Sequence, residues 1–145
     1  MKPERFFILA IDPGTHKTGL AVLDSSGAIV FRKIIPAEIL AEELRGQSPG
    51  TEPFSFSTIV IGQGTGHRQA LEQLKNINIP LITVEEKYST DEARRLYWQL
   101  NPPRGIKKFI PRGLLVPPEP LDDLAAVIIG RNYLGTRCQT PLYPS

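Results

Sequence analysis

Phe6-Phe7-Ile8-Leu9-Ala10-Ile11-Asp12-Pro13-Gly14 is the stretch that decides how the chain is read. An unbroken apolar run, stopped by an acid and a Pro-Gly pair, predicts a strand buried on both faces and therefore central in a sheet. Residues 20–23 and 28–31 are apolar and flank the turn-prone Asp24-Ser25-Ser26-Gly27, which predicts a hairpin of two further strands. After Pro36, the residues Ala37, Leu40, Ala41 and Leu44 recur at helical spacing. Residues 46–57, rich in Gly, Pro and Ser, read as a surface connection. Residues 58–61 predict a fourth strand, followed by Gly62-Gln63-Gly64-Thr65-Gly66 and a helix that packs Ala70, Leu71 and Leu74. Residues 81–84 predict a fifth strand, and Ser89 or Thr90 is placed to cap a helix burying Ala93, Leu96, Tyr97 and Leu100. Between Asn101 and Pro120 six prolines predict a long irregular loop. Leu121, Leu124, Ala125 and Ile128 then mark a last helix that fades near Gly135. The summed order predicts an α/β domain, a mixed sheet with helices on both faces.

With 145 residues, 41% apolar and 22% charged, the chain has the size and composition of one globular domain, residues 1–145, with 136–145 as a peripheral tail. No apolar stretch approaches the roughly 20 residues of a membrane span, and no signal-peptide pattern opens the chain, so a cytoplasmic protein without membrane partners is expected. One cysteine, Cys138, and two histidines exclude an internal disulfide and a Cys/His zinc cluster. The net charge of +2 decides nothing by itself. Its distribution says more: Arg94, Arg95, Arg104, Lys107, Lys108 and Arg112 crowd one stretch, interleaved with Tyr97, Trp98 and Phe109. That pattern suits phosphate contacts and base stacking, and equally a solvated helix face followed by a basic loop, with Trp98 read preferentially as core.

Acids stand at three places where a mixed sheet gathers ligands: Asp12 ends the first strand, Glu85 and Glu86 end the fifth, and Glu119, Asp122 and Asp123 open the last helix. Brought together they form an oxygen-only site, the donor set of magnesium, with manganese as its substitute. Two such ions activate water and stabilise a leaving oxygen in phosphodiester hydrolysis without a protein nucleophile. Each acid also has a plain role. Asp12 suits the cap of its Pro-Gly turn, Glu85 a solvated strand end, and the last group the positive end of a helix.

Ile11-Asp12-Pro13-Gly14-Thr15-His16-Lys17-Thr18-Gly19 resembles the opening of RuvC-type Holliday junction resolvases and the related YqgF nucleases. Val84-Glu85-Glu86-Lys87-Tyr88-Ser89-Thr90-Asp91-Glu92-Ala93 looks like a YqgF stretch, and Leu121-Asp122-Asp123-Leu124-Ala125-Ala126-Val127-Ile128-Ile129 is similar to the final helix of both families. The resemblance implies an RNase H-like fold, a five-stranded mixed sheet whose second strand is antiparallel. It also implies a divalent-metal nuclease with Asp12, Glu86 and Asp122 as catalytic metal ligands. Asp123 and Glu119 compete for the place of a fourth. The implied partner is nucleic acid, either branched DNA or structured RNA such as ribosomal RNA precursor, and a four-way junction calls for a homodimer. Two other classes stand beside this one. Actin-like and sugar-kinase ATPases share an Asp-x-Gly-Thr hairpin, and Gly62 to Gly66 would supply a second phosphate loop, but such proteins close two domains over ATP. A non-catalytic nucleic-acid-binding relative is expected to have lost site acids that this chain retains.

Overall fold

The computed structural model describes residues 6–46, 56–85, 90–102, 105, 109 and 121–137. Five strands, β1 (Phe7–Asp12), β2 (Lys17–Asp24), β3 (Ile29–Pro36), β4 (Phe56–Gly62) and β5 (Leu81–Val84), form one sheet in the order β3-β2-β1-β4-β5. β1 and β2 pair antiparallel, as do β2 and β3, whereas β1–β4 and β4–β5 are parallel, so β2 alone runs against the rest. The helices are α1 (Leu40–Gly46), entered through a 3₁₀ turn at Ala37–Ile39, then α2 (His67–Leu74), α3 (Thr90–Leu100) and α4 (Asp122–Arg137). Among the described residues no helix is long and apolar enough to cross a membrane.

The central strand behaves as its apolar run dictates. Ile8, Leu9, Ala10 and Ile11 are all buried, because successive side chains feed opposite layers. Ile8 and Ala10 join Ala21, Leu23 and Val60 in a cluster with α3 and α4; Leu9 and Ile11 join Leu20, Val22, Ile59 and Ile61 with α1 and α2. Helices therefore cover both faces, as expected.

The hairpin strands are longer than the apolar runs suggested. Asp24 fixes the turn: its Oδ1 accepts hydrogen bonds from Ser26 N at 2.9 Å, Ser26 Oγ at 2.6 Å and Ala28 N at 3.0 Å, and Gly27 takes a positive φ of 89°. β3 continues past Phe31 through Arg32 and Lys33 because each of these cations finds a tertiary partner. Arg32 meets Asp123 at 2.7 Å and Lys33 meets Glu43 at 2.9 Å. A run that looks interrupted in sequence is a continuous strand once those charges are paired.

Two helices differ from their expected faces. In α3, Ala93, Leu96 and Tyr97 are buried as predicted and Trp98, at 5%, is core as preferred, its ring edge-on to Tyr97 at 4.9 Å, but Leu100, expected on the buried face, is 45% exposed. The helix packs on α4 in a cluster that also takes in Val60 and Val84 of the sheet, and Trp98 joins its buried face. In α4 every residue from Asp123 to Gly130 is buried, not merely Leu124, Ala125 and Ile128. A helix enclosed all round loses the polar face that periodicity would detect. It also runs to Arg137, two residues past the expected fading near Gly135. The proline-rich stretch lies almost wholly outside the described residues.

α4 lies along the β1–β2 pair and is seated by glycine at both ends. A Cβ at Gly130 would meet Leu23 Cδ1 at 2.6 Å and Ala10 Cβ at 3.0 Å, and next to it Arg131 Nε donates to Gly27 O at 2.9 Å. At its start, a Cβ at Gly19 would stand 1.9 Å from the carbonyl oxygen of Asp122. Eight residues of helix rise about 12 Å, and the four strand residues between Gly19 and Leu23 span about 13 Å, so the two seats match.

Candidate functional site

Asp12 is the last residue of β1 and pairs directly with Gly19 of β2. The alternation that sends Ile8 and Ala10 toward α4 puts Asp12 on that same face. Because Gly19 has no side chain, the first turn of α4 descends onto it until the Asp122 backbone all but touches the strand. Asp12 and Asp122, 110 positions apart in the numbering, are thus brought to one strand end across a single glycine. On the other side of β1, Gly62 of β4 follows the Ile11–Ile61 pair and is matched with Val84 of β5, which packs into the α3–α4 cluster. The last turn of β5 therefore ends at the level of Asp12. Glu86 lies two residues on, outside the described residues.

Two loops wall this strand end. The β1–β2 turn is so tight that a Cβ on Gly14 would meet Lys17 O at 2.3 Å. The loop from Gly62 to Gly66 folds onto it: Gly66 N donates to Pro13 O at 3.3 Å, and a Cβ on Gly66 would meet Gly14 O at 2.1 Å. Thr15 Oγ1 reaches Thr65 Oγ1 at 3.2 Å, and His67 Nδ1 lies 2.9 Å from Gly62 O. Gly66 is thus required by the packing of this loop on the Asp12-Pro13-Gly14 turn, a structural reason for that glycine.

The electrostatics single out Asp122. Burial pushes its carboxyl above the ordinary carboxylate range; the nearby Lys17 ammonium pulls it down, and neighbouring Asp123 pushes it up. Asp123 itself is 7% exposed and held at both oxygens, Oδ2 by Arg32 Nη1 at 2.7 Å and Oδ1 by the Leu124 N–H at 2.9 Å. The two adjacent acids therefore have different surroundings, one facing Lys17 and the other tied to β3. Lys17 and Arg32 were not among the candidates. Lys17 had a signal, since it stands two residues before Gly19 on the same strand face; Arg32 had none, because its partner is 91 residues away.

Of the basic candidates, Arg95 is exposed and Arg94 half-buried on α3. Phe109 is 78% exposed. Arg104, Lys107, Lys108, Arg112 and Glu119 lie outside the described residues. Among the described residues no three His, Cys, Asp or Glu side chains are grouped closely enough to hold a metal. Asp12 and Asp122 supply two carboxylates at the strand end.

No protein-family model matches the chain, and no curated protein matches it. Solved structures do. The RuvC structure of Thermus thermophilus aligns over 93% of this chain and 98% of its own, with a TM-score of 0.57 at 13% identity. The same protein in complex with Holliday junction substrate aligns over 93% and 97%, with a TM-score of 0.56 at 13% identity. The fowlpox virus Holliday junction resolvase aligns over 91% and 99%, with a TM-score of 0.50 at 14% identity. At such identities the likeness speaks for the backbone alone, and it establishes that this chain is built on the RNase H-like fold that RuvC and the poxvirus resolvase share.

Proposed function

We propose that this protein is a divalent-metal-dependent endonuclease that hydrolyses phosphodiester bonds in branched DNA, a Holliday junction resolvase-like activity. The observation that carries the reading is the approach of Asp12 and Asp122 across Gly19 at the end of the central strand, on a fold shared along nearly the whole chain with two resolvases.

The donor set suits magnesium. Its members are carboxylates without imidazole or thiolate, and Asp122 is a carboxylate whose burial penalises its charge, a penalty that a cation relieves. Asp12, Glu86 and Asp122 would hold the ion, which would supply an activated water and stabilisation of the leaving oxygen. Asp123 already engages both oxygens, which favours Glu119 over it as the fourth acid. Lys17 supplies positive charge beside Asp122, suited to an approaching phosphate backbone. Arg94 and Arg95, with Arg104, Lys107, Lys108 and Arg112, are assigned to phosphate contacts away from the cut. Paired nicks in a four-way junction call for two sites related by a two-fold axis, hence a homodimer.

The test is magnesium-dependent cleavage of a synthetic four-way DNA junction, a matched duplex and a ribosomal RNA precursor fragment by the protein and its Asp12→Asn variant. Symmetric junction nicks that vanish in the variant are the expected result. RNA-selective cleavage would move the substrate to ribosomal precursor, and absence of metal-dependent cleavage on all three would refute the nuclease.

A further inference from the structure

The Arg32–Asp123 pair has a place in the site that neither residue's position in sequence announces. α4 starts at Asp122, and successive residues of a helix are turned about 100° from one another. Whatever fixes the direction of Asp123 at the first turn fixes the direction of Asp122 with it. Asp123 is fixed twice: Arg32 Nη1 on β3 holds Oδ2 at 2.7 Å, and the helix's own Leu124 N–H holds Oδ1 at 2.9 Å. The Asp123 side chain is 10% exposed and Arg32 36% exposed, so the pair is partly shielded from water and the acid has little hydration to fall back on. Gly130 and Arg131 hold the helix farther along, and seating on Gly19 sets the height of its start above the sheet. The bond from Asp123 to β3 adds a lateral tie at the first turn itself, and it also sets a positive charge against the like charge directly beside Asp122.

We infer that Arg32 is a positioning residue: through Asp123 it locks the rotation of the first turn of α4, and so aims the Asp122 carboxylate at the cation it shares with Asp12. This rests on the metal-nuclease reading, and it removes Asp123 from the metal ligands. Partners that orient a ligand without touching the metal typically change metal affinity or activity about 10- to 100-fold when removed.

Arg32→Met keeps the aliphatic stem and discards the charge; Arg32→Lys restores a cation within reach of Asp123. Binding of Mn2+ to the metal-free protein, followed by electron paramagnetic resonance, gives a readout independent of cleavage, and junction cleavage against Mg2+ concentration gives a second. Arg32→Met is expected to weaken Mn2+ binding and raise the Mg2+ requirement about 10- to 100-fold while far-ultraviolet circular dichroism stays native. Arg32→Lys is expected to recover much of the loss, and Asp123→Asn added to Arg32→Met to cost little more. A wild-type protein that binds Mn2+ and cleaves, with an Arg32→Met variant of unchanged metal dependence, overturns the positioning role and leaves the nuclease standing. A wild-type protein that neither binds Mn2+ nor cleaves overturns both.

Discussion

Gly19→Ala tests the site without touching any carboxylate. The new methyl carbon would lie 1.9 Å from Asp122 O, 2.2 Å from Asp122 C and 2.8 Å from Asp123 N, all backbone atoms that cannot rotate aside. Ordinary van der Waals contact begins at about 3.4 Å, so the start of α4 has to lift by about 1.5 Å. The far end of the helix stays anchored through Gly130 on Leu23 and Arg131 on Gly27, which concentrates the displacement at Asp122. Overpacking of this kind costs about 1–3 kcal/mol. For a domain of this size that corresponds to a fall in Tm of about 3 to 10 °C. Misplacing a catalytic group by about 1 Å costs about 100-fold in rate. Thermal unfolding and single-turnover junction cleavage, measured well below the variant's Tm, read the two effects separately. A lowered Tm with an unchanged rate per folded molecule would take Asp122 out of the site. A wild-type Tm and rate together would refute the close approach of α4 to β2.

Two other perturbations follow from the same geometry. Because burial raises the Asp122 carboxyl above its unfolded value, its ionisation opposes folding, and stability in the absence of metal declines as pH rises from the ordinary carboxylate range through the raised folded value. Asp122→Asn should therefore melt higher than the wild type at neutral pH in chelator, converge with it in acid, and lose the stabilisation by Mg2+; a variant that melts lower at neutral pH would contradict the assignment. Asp24→Ala removes an acceptor shared by Ser26 N, Ser26 Oγ and Ala28 N in the β2–β3 turn, at the end of α4 remote from Asp122. It should cost about 1–3 kcal/mol of stability, read by denaturant titration, and leave the cleavage rate of the folded protein unchanged.

Much of the architecture was legible from residue order. The unbroken apolar run of β1 needs burial on both sides, and only a central strand offers it; the Asp24 to Gly27 turn carries its own hydrogen-bonding chemistry; helical spacing of apolar residues located all four helices. The acids at element ends were legible too, since an acid that closes a strand or opens a helix is visible one residue at a time. The sequence was silent wherever the cause lay across the fold. β3 extends because Arg32 and Lys33 find Asp123 and Glu43, α4 is buried all round from Asp123 to Gly130 because of what packs against it, and the surroundings of Asp122 and Asp123 diverge because one faces Lys17 and the other Arg32. Two adjacent aspartates are equivalent to any local rule. Local physical chemistry thus determined which elements form and which acids end them. Only the tertiary structure, by seating a helix on one glycine and tying its first turn to β3 with one ion pair, decided that the start of α4 stands at the strand end where Asp12 lies.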